Sequence, residues 1–301
     1  MSDRHRSVSG LQQHSFTAMA SPCCFHLPEE TPVELITAME SEVRRIEQKY
    51  SRYRDASVLS QINASAGGHP VEIDHETQWL LDYARVGFEQ SDGLFDITSG
   101  VLRRVWDFKA GLLPTAAQLE PVRRKIGFDR ITVSNHCIAL PEGMEIDFGG
   151  IGKEYAADAA AELARKAGIV SGIIDLGGDL HVLGPKVDGT PWTLGVRNPR
   201  CPQQASASLP VYQGGMASSG DYERYLERDG KRYCHILNPV TGHPASHWAS
   251  VTVIAPSCLL AGTLSTIAML KERAGEEWLR AQQVSALLIR PDLSLLSLTD
   301  R

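Results

Sequence analysis

Apolar residues recur at helical spacing in some stretches of the chain and cluster in short runs elsewhere. Val33, Ile36, Met39, Val43, Ile46 and Tyr50 fall on one face of a helix. Thr31-Pro32-Val33-Glu34 supplies its start, with Thr31 as N-cap, Pro32 at the first helical position and Glu34 completing a capping box. The spacing predicts further helices over Glu76–Gln90, from near Thr98, from Pro114-Thr115 to Gly127, and over Ser257–Leu270. Strands are expected at Ser15–Leu27, broken by Met19-Ala20-Ser21-Pro22, and at Arg130–Leu140, Gly143–Asp147, Val170–Gly184, Trp192–Arg197, Ser206–Tyr212, Met216–Ser219 and Trp248–Ala255. A closing pair covers Val284–Ile289 and Leu293–Leu298, and Asp229-Gly230 reads as a hairpin turn. Such interleaving predicts an α+β fold: a single unit with two lobes, mixed sheets and flanking helices, over residues 15–301 after a disordered lead-in of residues 1–14.

One stretch organises the chemistry. A short apolar segment ends at Asp147, and Gly149, Gly150 and Gly152 follow within a few positions. Lys153 comes next, and Ala156, Ala160, Leu163 and Ala167 then repeat at helical spacing. A glycine turn opening a helix lets backbone N–H groups approach an anion, and the helix dipole favours negative charge there. Lys153 adds a point charge suited to phosphate. The stretch is not a Walker A loop, because Glu154 follows the lysine, and its glycine spacing is not that of a dinucleotide fingerprint. The same pattern also serves a tight turn with close strand–helix packing.

Composition narrows the class. With 301 residues, 43% hydrophobic and 22% charged, the chain has the make-up of a globular protein large enough for one large or two medium domains. A net charge of −6 argues against general nucleic-acid affinity. The six cysteines form no Cys-x-x-Cys pair, which fits a reducing, cytoplasmic setting. The first eleven residues lack an apolar signal region, and no run approaches transmembrane length.

Other positions carry candidate chemistry. Asp96 sits between apolar neighbours and needs partners; capping the helix that starts near Thr98 would provide them. Asp175 and Asp179 flank Gly177-Gly178 in a buried run, where a paired-carboxylate hydrolase can be imagined. His235 ends a strand before a Pro/Gly turn, a common place for working residues.

Five blocks stand in one order: Ser51-Arg-Tyr with Ser57 and Asn63; Gly93-Leu-Phe-Asp-Ile-Thr98; Ile146-Asp-Phe-Gly-Gly-Ile-Gly-Lys153; Ser219-Gly-Asp-Tyr222; and His235-Ile-Leu-Asn-Pro-Val-Thr-Gly242. Together they closely resemble the ApbE family of FAD:protein FMN transferases, over roughly residues 16–298. The resemblance implies FAD as substrate and magnesium as cofactor. It implies cleavage of the FAD pyrophosphate, attachment of FMN to a Thr or Ser hydroxyl of a target flavoprotein, and release of AMP. By resemblance, Met19, Phe95, Asp96, Asp147, Lys153 and Ile236 contact FAD, with Asp147 at the adenosine end and Lys153 at a phosphate. Gly150, through its backbone oxygen, and Thr266 match metal-ligand positions. His235 matches a family histidine that serves phosphate contact or proton transfer.

Two departures stand out. The family's last block places an Asp and a Thr four residues apart on one helix face; here Gly262 replaces the Asp while Thr266 remains. Magnesium favours carboxylate oxygen, so this loss is expected to weaken its binding, and glycine gives up about 1 kcal/mol of helix propensity relative to alanine. Lys153-Glu154 replaces the commoner Lys-Gly. Two expectations follow: an active transferase that holds magnesium differently, or a non-catalytic FAD-binding relative acting as carrier or sensor. A hydrolase releasing FMN and AMP would use the same site.

Overall fold

The structure, a computed structural model, describes residues 10–299. In chain order, β1 (Leu11–Ala18) and β2 (Ser21–Pro28) precede α1 (Val33–Tyr50), α2 (Val58–Ala64), β3 (Val71–Glu72) and α3 (His75–Gln90). The 3-10 helix Ile97–Arg104 leads to α4 (Ala116–Arg123), β4 (Thr132–Ser134), β5 (Cys137–Ala139) and α5 (Gly152–Lys166). Then come β6 (Gly172–Leu176), β7 (Asp179–Gly184), β8 (Trp192–Arg197), β9 (Ala205–Val211), β10 (Gly214–Gly220), β11 (Tyr225–Arg228), β12 (Lys231–Cys234) and β13 (Ser250–Ala255). The chain closes with α6 (Cys258–Leu270), α7 (Gly275–Ala281), β14 (Ser285–Ile289) and β15 (Leu295–Leu298). It forms two compact units. The first holds the chain up to Glu47, Ile151–Ser218 and Val253–Gly262; the second holds Gln48–Gly150, Ser219–Thr252 and the chain from Thr263 on.

In the first unit β1, β2, β6, β7 and β10 lie side by side in that order, each pair antiparallel. Tight turns join the strands. Met19 and Ala20 take positive φ of 52° and 57° between β1 and β2, so the interruption read in the sequence is a hairpin turn. Gly177 and Gly178, at φ of 68° and 93°, turn β6 into β7. The expected single strand Val170–Gly184 is therefore a hairpin, because a largely apolar run hides a turn marked only by Gly177-Gly178 and the aspartates that flank them. On β8, Trp192, Leu194 and Val196 are buried while the alternate residues are exposed. Trp192 and Leu194 pack with Ile173, Leu180, Val182, Val211 and Met216.

Helix α5 lies on β6 and β7. Its buried face is Ala156, Ala157, Ala160, Ala161 and Ala164, all fully covered, and such small side chains allow a close approach. Asp158 then ties α5 to its neighbours. Its carboxylate accepts the N–H groups of Cys258 at 2.8 Å and Leu259 at 2.9 Å, two donors that the first turn of α6 cannot satisfy internally. Ser257 Oγ takes a third, from Leu260, at 3.2 Å. Asp158 also lies 2.5 Å from His181 Nδ1 on β7, and His181 Nε2 lies 2.5 Å from Arg165 Nη2. Guanidinium can only donate, so Nε2 accepts and the imidazole proton sits on Nδ1, facing Asp158.

In the second unit β3, β5 and β4 form a small antiparallel sheet, β11 and β12 a hairpin about Asp229-Gly230 as expected, and β14 and β15 an antiparallel pair. Asp74 caps α3 by accepting from Thr77 N at 2.9 Å and pairs with Lys49, which holds its carboxyl down at about 2. Leu102, Trp106, Leu119 and Leu226 make a local core. Several expectations change. Gly143–Asp147 forms no strand. The helix near Thr98 is a 3-10 helix. Thr31 makes no capping box: α1 begins at Val33, Thr31 Oγ1 is buried without a partner, and Val33 is 66% exposed rather than on the buried face. Leu11–His14, placed in the lead-in 1–14, are instead the first half of β1, held in register by Pro28 to Phe25; residues 1–9 lie outside the described residues. Among the described residues no helix is long and apolar enough to cross a membrane.

Asp158 makes a measurable demand on stability. Asp158→Ala strands two N–H groups and a buried imidazole, and we expect a loss of about 2–4 kcal/mol in denaturant unfolding. A loss below about 1 kcal/mol would show that water replaces the carboxylate at no cost.

Candidate functional site

Two sets of chemistry-bearing residues occupy the two units. In the first unit, the β1–β2 turn, the β6–β7 turn and the start of α5 lie together. A Cβ on Gly177 would stand 2.7 Å from Ser21 Cβ and 3.8 Å from Lys153 Nζ, so glycine is required by space as well as by its positive φ. Met19 N donates to Glu47 Oε1 at 2.6 Å, which fixes the turn that carries Met19. Helix α5 has Ile151 at its N-cap and no side-chain cap, so its first N–H groups keep their capacity for an anion.

Lys153 sits on that first turn, 2.5 Å from Asp179 Oδ2. Burial opposes its charge, but Asp179 and Glu154 outweigh burial and hold the lysine protonated well above its usual range. The phosphate contact expected for Lys153 therefore has a competitor: the ammonium is neutralised by Asp179. Asp175 Oδ1 accepts Gly178 N at 2.8 Å and stabilises the turn. One acid serves a turn and the other a lysine, so Asp175 and Asp179 are not the acid–base pair a hydrolase would need.

In the second unit, Asp147 stands at the centre of a charged cluster. Its Oδ1 accepts Gly149 N at 2.8 Å, folding the carboxylate onto the glycine turn, and its own N–H donates to Ile97 O at 2.8 Å. Its Oδ2 pairs with Arg52 and lies 3.4 Å from Arg103 Nη1. Arg103 also stands 2.5 Å from Glu145 Oε1, without hydrogen-bond alignment, and Arg104 Nη2 bonds Glu145 Oε2 at 2.8 Å. Three arginines face two carboxylates, a surplus of positive charge beside an exposed glycine backbone.

Phe95 is buried, anchored by its N–H to Ser91 Oγ at 2.7 Å. Its ring edge lies 3.7 Å from where a Gly150 Cβ would be. Asp96 is spent structurally: Oδ1 accepts from Thr98 N at 2.7 Å and Thr98 Oγ1 at 2.6 Å, and Oδ2 from Phe128 N at 3.1 Å. Burial still pushes its pKa up. This is the helix-capping role the sequence offered. His235 is exposed at the end of β12, with its N–H donating to Arg224 O at 2.9 Å. Ile236 is buried, and its carbonyl accepts Ala245 N at 2.9 Å. Asn238 Oδ1 accepts from Val240 N and Thr241 N, which shapes the loop after them. Thr266 Oγ1 lies 2.9 Å from Ser219 Oγ, which also meets Ser265 Oγ at 2.8 Å. Ser219 opens one of the five sequence blocks, and this hydroxyl cluster gives it a partner.

Sequence reasoning missed Glu154. On the first turn of α5 it is 8% exposed, and its Oε2 has no hydrogen-bond partner. Burial, with Asp179 adding, raises its pKa to about 8. A Cβ on Gly262 would meet Glu154 Cγ at 2.6 Å and Oε1 at 2.7 Å. The carboxyl of Glu154 thus occupies the space that a side chain at 262 would need. The signal was present as two coincident departures from the family pattern, a carboxylate gained at 154 and one lost at 262. Among the described residues no group of three or more His, Cys, Asp or Glu side chains forms a ready metal site.

The model of the ApbE family matches residues 17–288. A FAD:protein FMN transferase of Vibrio cholerae is 29% identical over 265 residues, covering 85% of this chain and 79% of that protein. One from Klebsiella pneumoniae is 32% identical over 263 residues, covering 84% and 80%. The crystal structure of the ApbE protein of Thermotoga maritima superposes with a TM-score of 0.88 at 30% identity, over 95% of this chain and 96% of that one. With the family model spanning most of its length, this chain belongs to the ApbE family.

Proposed function

We propose that this chain is a FAD:protein FMN transferase, moving FMN from FAD to a Thr or Ser hydroxyl of a target flavoprotein and releasing AMP. The glycine turn carries the reading. Asp147, Gly149 and Gly150 lead into a helix whose N-terminus lacks a side-chain cap, and Lys153 follows on its first turn. That arrangement suits a pyrophosphate, because unsatisfied N–H groups and a cation stabilise charge developing on the leaving phosphate.

The acceptor oxygen bonds to the FMN phosphorus as the bond to the AMP oxygen breaks. The hydroxyl proton leaves to a base, and AMP departs with the bridging oxygen. We assign His235 to the transferred phosphoryl group, where it accepts that proton or contacts the phosphate. Met19, Phe95, Asp96, Asp147, Lys153 and Ile236 form the FAD contacts, with Asp147 holding the adenosine end. Asp96 acts in this set by fixing the backbone that carries Phe95. Gly150, through its carbonyl, and Thr266 would hold magnesium. When bound, magnesium neutralises pyrophosphate charge. Within the first unit, the buried Glu154 oxygen without a partner is chemically suited to a hard cation.

The carrier or sensor alternative drew on the missing carboxylate at 262. Glu154 stands in that space, which favours the transferase reading over a carrier or sensor. A cytoplasmic location belongs to this proposal and draws on six unpaired cysteines.

Incubation with FAD, magnesium and a Thr-bearing acceptor domain should give a covalent flavin adduct and one AMP per adduct, read by mass spectrometry. No adduct at any magnesium concentration would reject the proposal, and free FMN with AMP would mark water as the acceptor. Lys153→Ala should lower kcat/KM by about 10–1000-fold, in the range of losing one charge-stabilising donor. His235→Asn should lower kcat with little change in KM for FAD.

A further inference from the structure

Two glycine-sized and carboxylate-sized changes meet at one point of the first unit. Gly262 on α6 has no side chain, and the volume in front of it is filled by Glu154 of α5, with Cγ, Oε1 and Cδ at 2.6, 2.7 and 3.0 Å from an ideal Cβ. No residue with a Cβ fits at 262 while Glu154 keeps this position. The fit is reciprocal: a long acidic side chain on one helix requires a bare backbone on the other.

Filling space does not explain the choice of an acid. A leucine or methionine would fill the volume without burying a carboxyl group. Glu154 is 8% exposed and its Oε2 has no partner, and a buried polar atom without a hydrogen bond is costly. The nearest cation on its own helix, Lys153, is paired with Asp179 at 2.5 Å. A carboxyl oxygen is thus held buried without a hydrogen-bond partner, beside a second acid whose charge a lysine already balances. Hard divalent cations complete such oxygens.

We infer that Glu154 is a carboxylate ligand for a divalent cation in this protein, delivered from α5 into the space of residue 262. The inference rests on the transferase reading for the cation's identity as magnesium, but the binding it asserts can be measured without turnover. It also explains Gly262: the glycine makes room for the ligand and does not mark its loss. Restoring an aspartate at 262 alone places two side chains in one volume, so Gly262→Asp should lower the melting temperature and fail to improve cation binding.

The test is manganese binding, followed by electron paramagnetic resonance of free Mn2+ during titration, with and without FAD, on the full chain. Glu154→Gln preserves shape and should weaken Mn2+ at least tenfold while the melting temperature of the cation-free protein holds or rises. The exchanged double variant, Glu154→Gly with Gly262→Asp, moves the carboxylate to the other helix and should recover binding to within a few-fold of wild type. Unchanged Mn2+ affinity in Glu154→Gln overturns the inference, as does a double variant that folds with a native melting temperature yet binds no better than Glu154→Gln. The two readings fail separately. A wild type that binds Mn2+ through Glu154 but forms no flavin adduct removes the transferase and leaves this site. A wild type that forms the adduct with magnesium, beside a Glu154→Gln variant equal to it in binding, removes this site and leaves the transferase.

Discussion

The carboxylate of Asp158 is the constraint on which the first unit turns. One side chain caps two N–H groups of α6, receives His181 from β7 and sits on α5, so three elements share one acid. Without it, α6 would begin with unsatisfied donors in a buried setting, where each costs about 1–3 kcal/mol. Gly215 of β10 completes the constraint, since a Cβ there would stand 2.2 Å from Cys258 N. The backbone of β10 and the first turn of α6 are pressed together, and Asp158 holds the helix to that contact.

The seam sets what lies one helical turn away. Residue 154 precedes 158 by four positions and residue 262 follows 258 by four, so each pair shares a helix face. Since 158 meets 258 and 154 meets 262, the helices run in opposite directions along the seam. Glu154 is thereby aimed at Gly262 by the same packing that caps α6. The alanine face of α5 contributes, because larger residues at 156, 157, 160, 161 and 164 would lift the helix from β6 and β7. A position that looks like a lost side chain in the sequence is, in the packed structure, space filled by Glu154.

Electrostatics repeat this economy elsewhere. Lys153 is balanced by Asp179, and Asp147 by Arg52 and Arg103, so charged side chains near the glycine turn are paired within the protein. Paired groups are positioned at low cost, since an unpaired buried charge would shift to its neutral form.

The sequence by itself determined the alternation of strand and helix, the hairpin at Asp229-Gly230, the glycine turn at 149–152 and the cap at Asp96, because these depend on local period, turn chemistry and short-range donors. It also carried the family, through ordered blocks. It misread Val170–Gly184, Thr31 and Gly143–Asp147, where local preference gives no sign of what a neighbouring strand or helix will supply. Only the tertiary structure decided that Lys153 pairs with Asp179, that Asp158 caps a helix a hundred residues away, and that Glu154 fills the place of a side chain at 262. Those facts are distances between residues far apart in the chain, and no pattern along one segment encodes a distance to another.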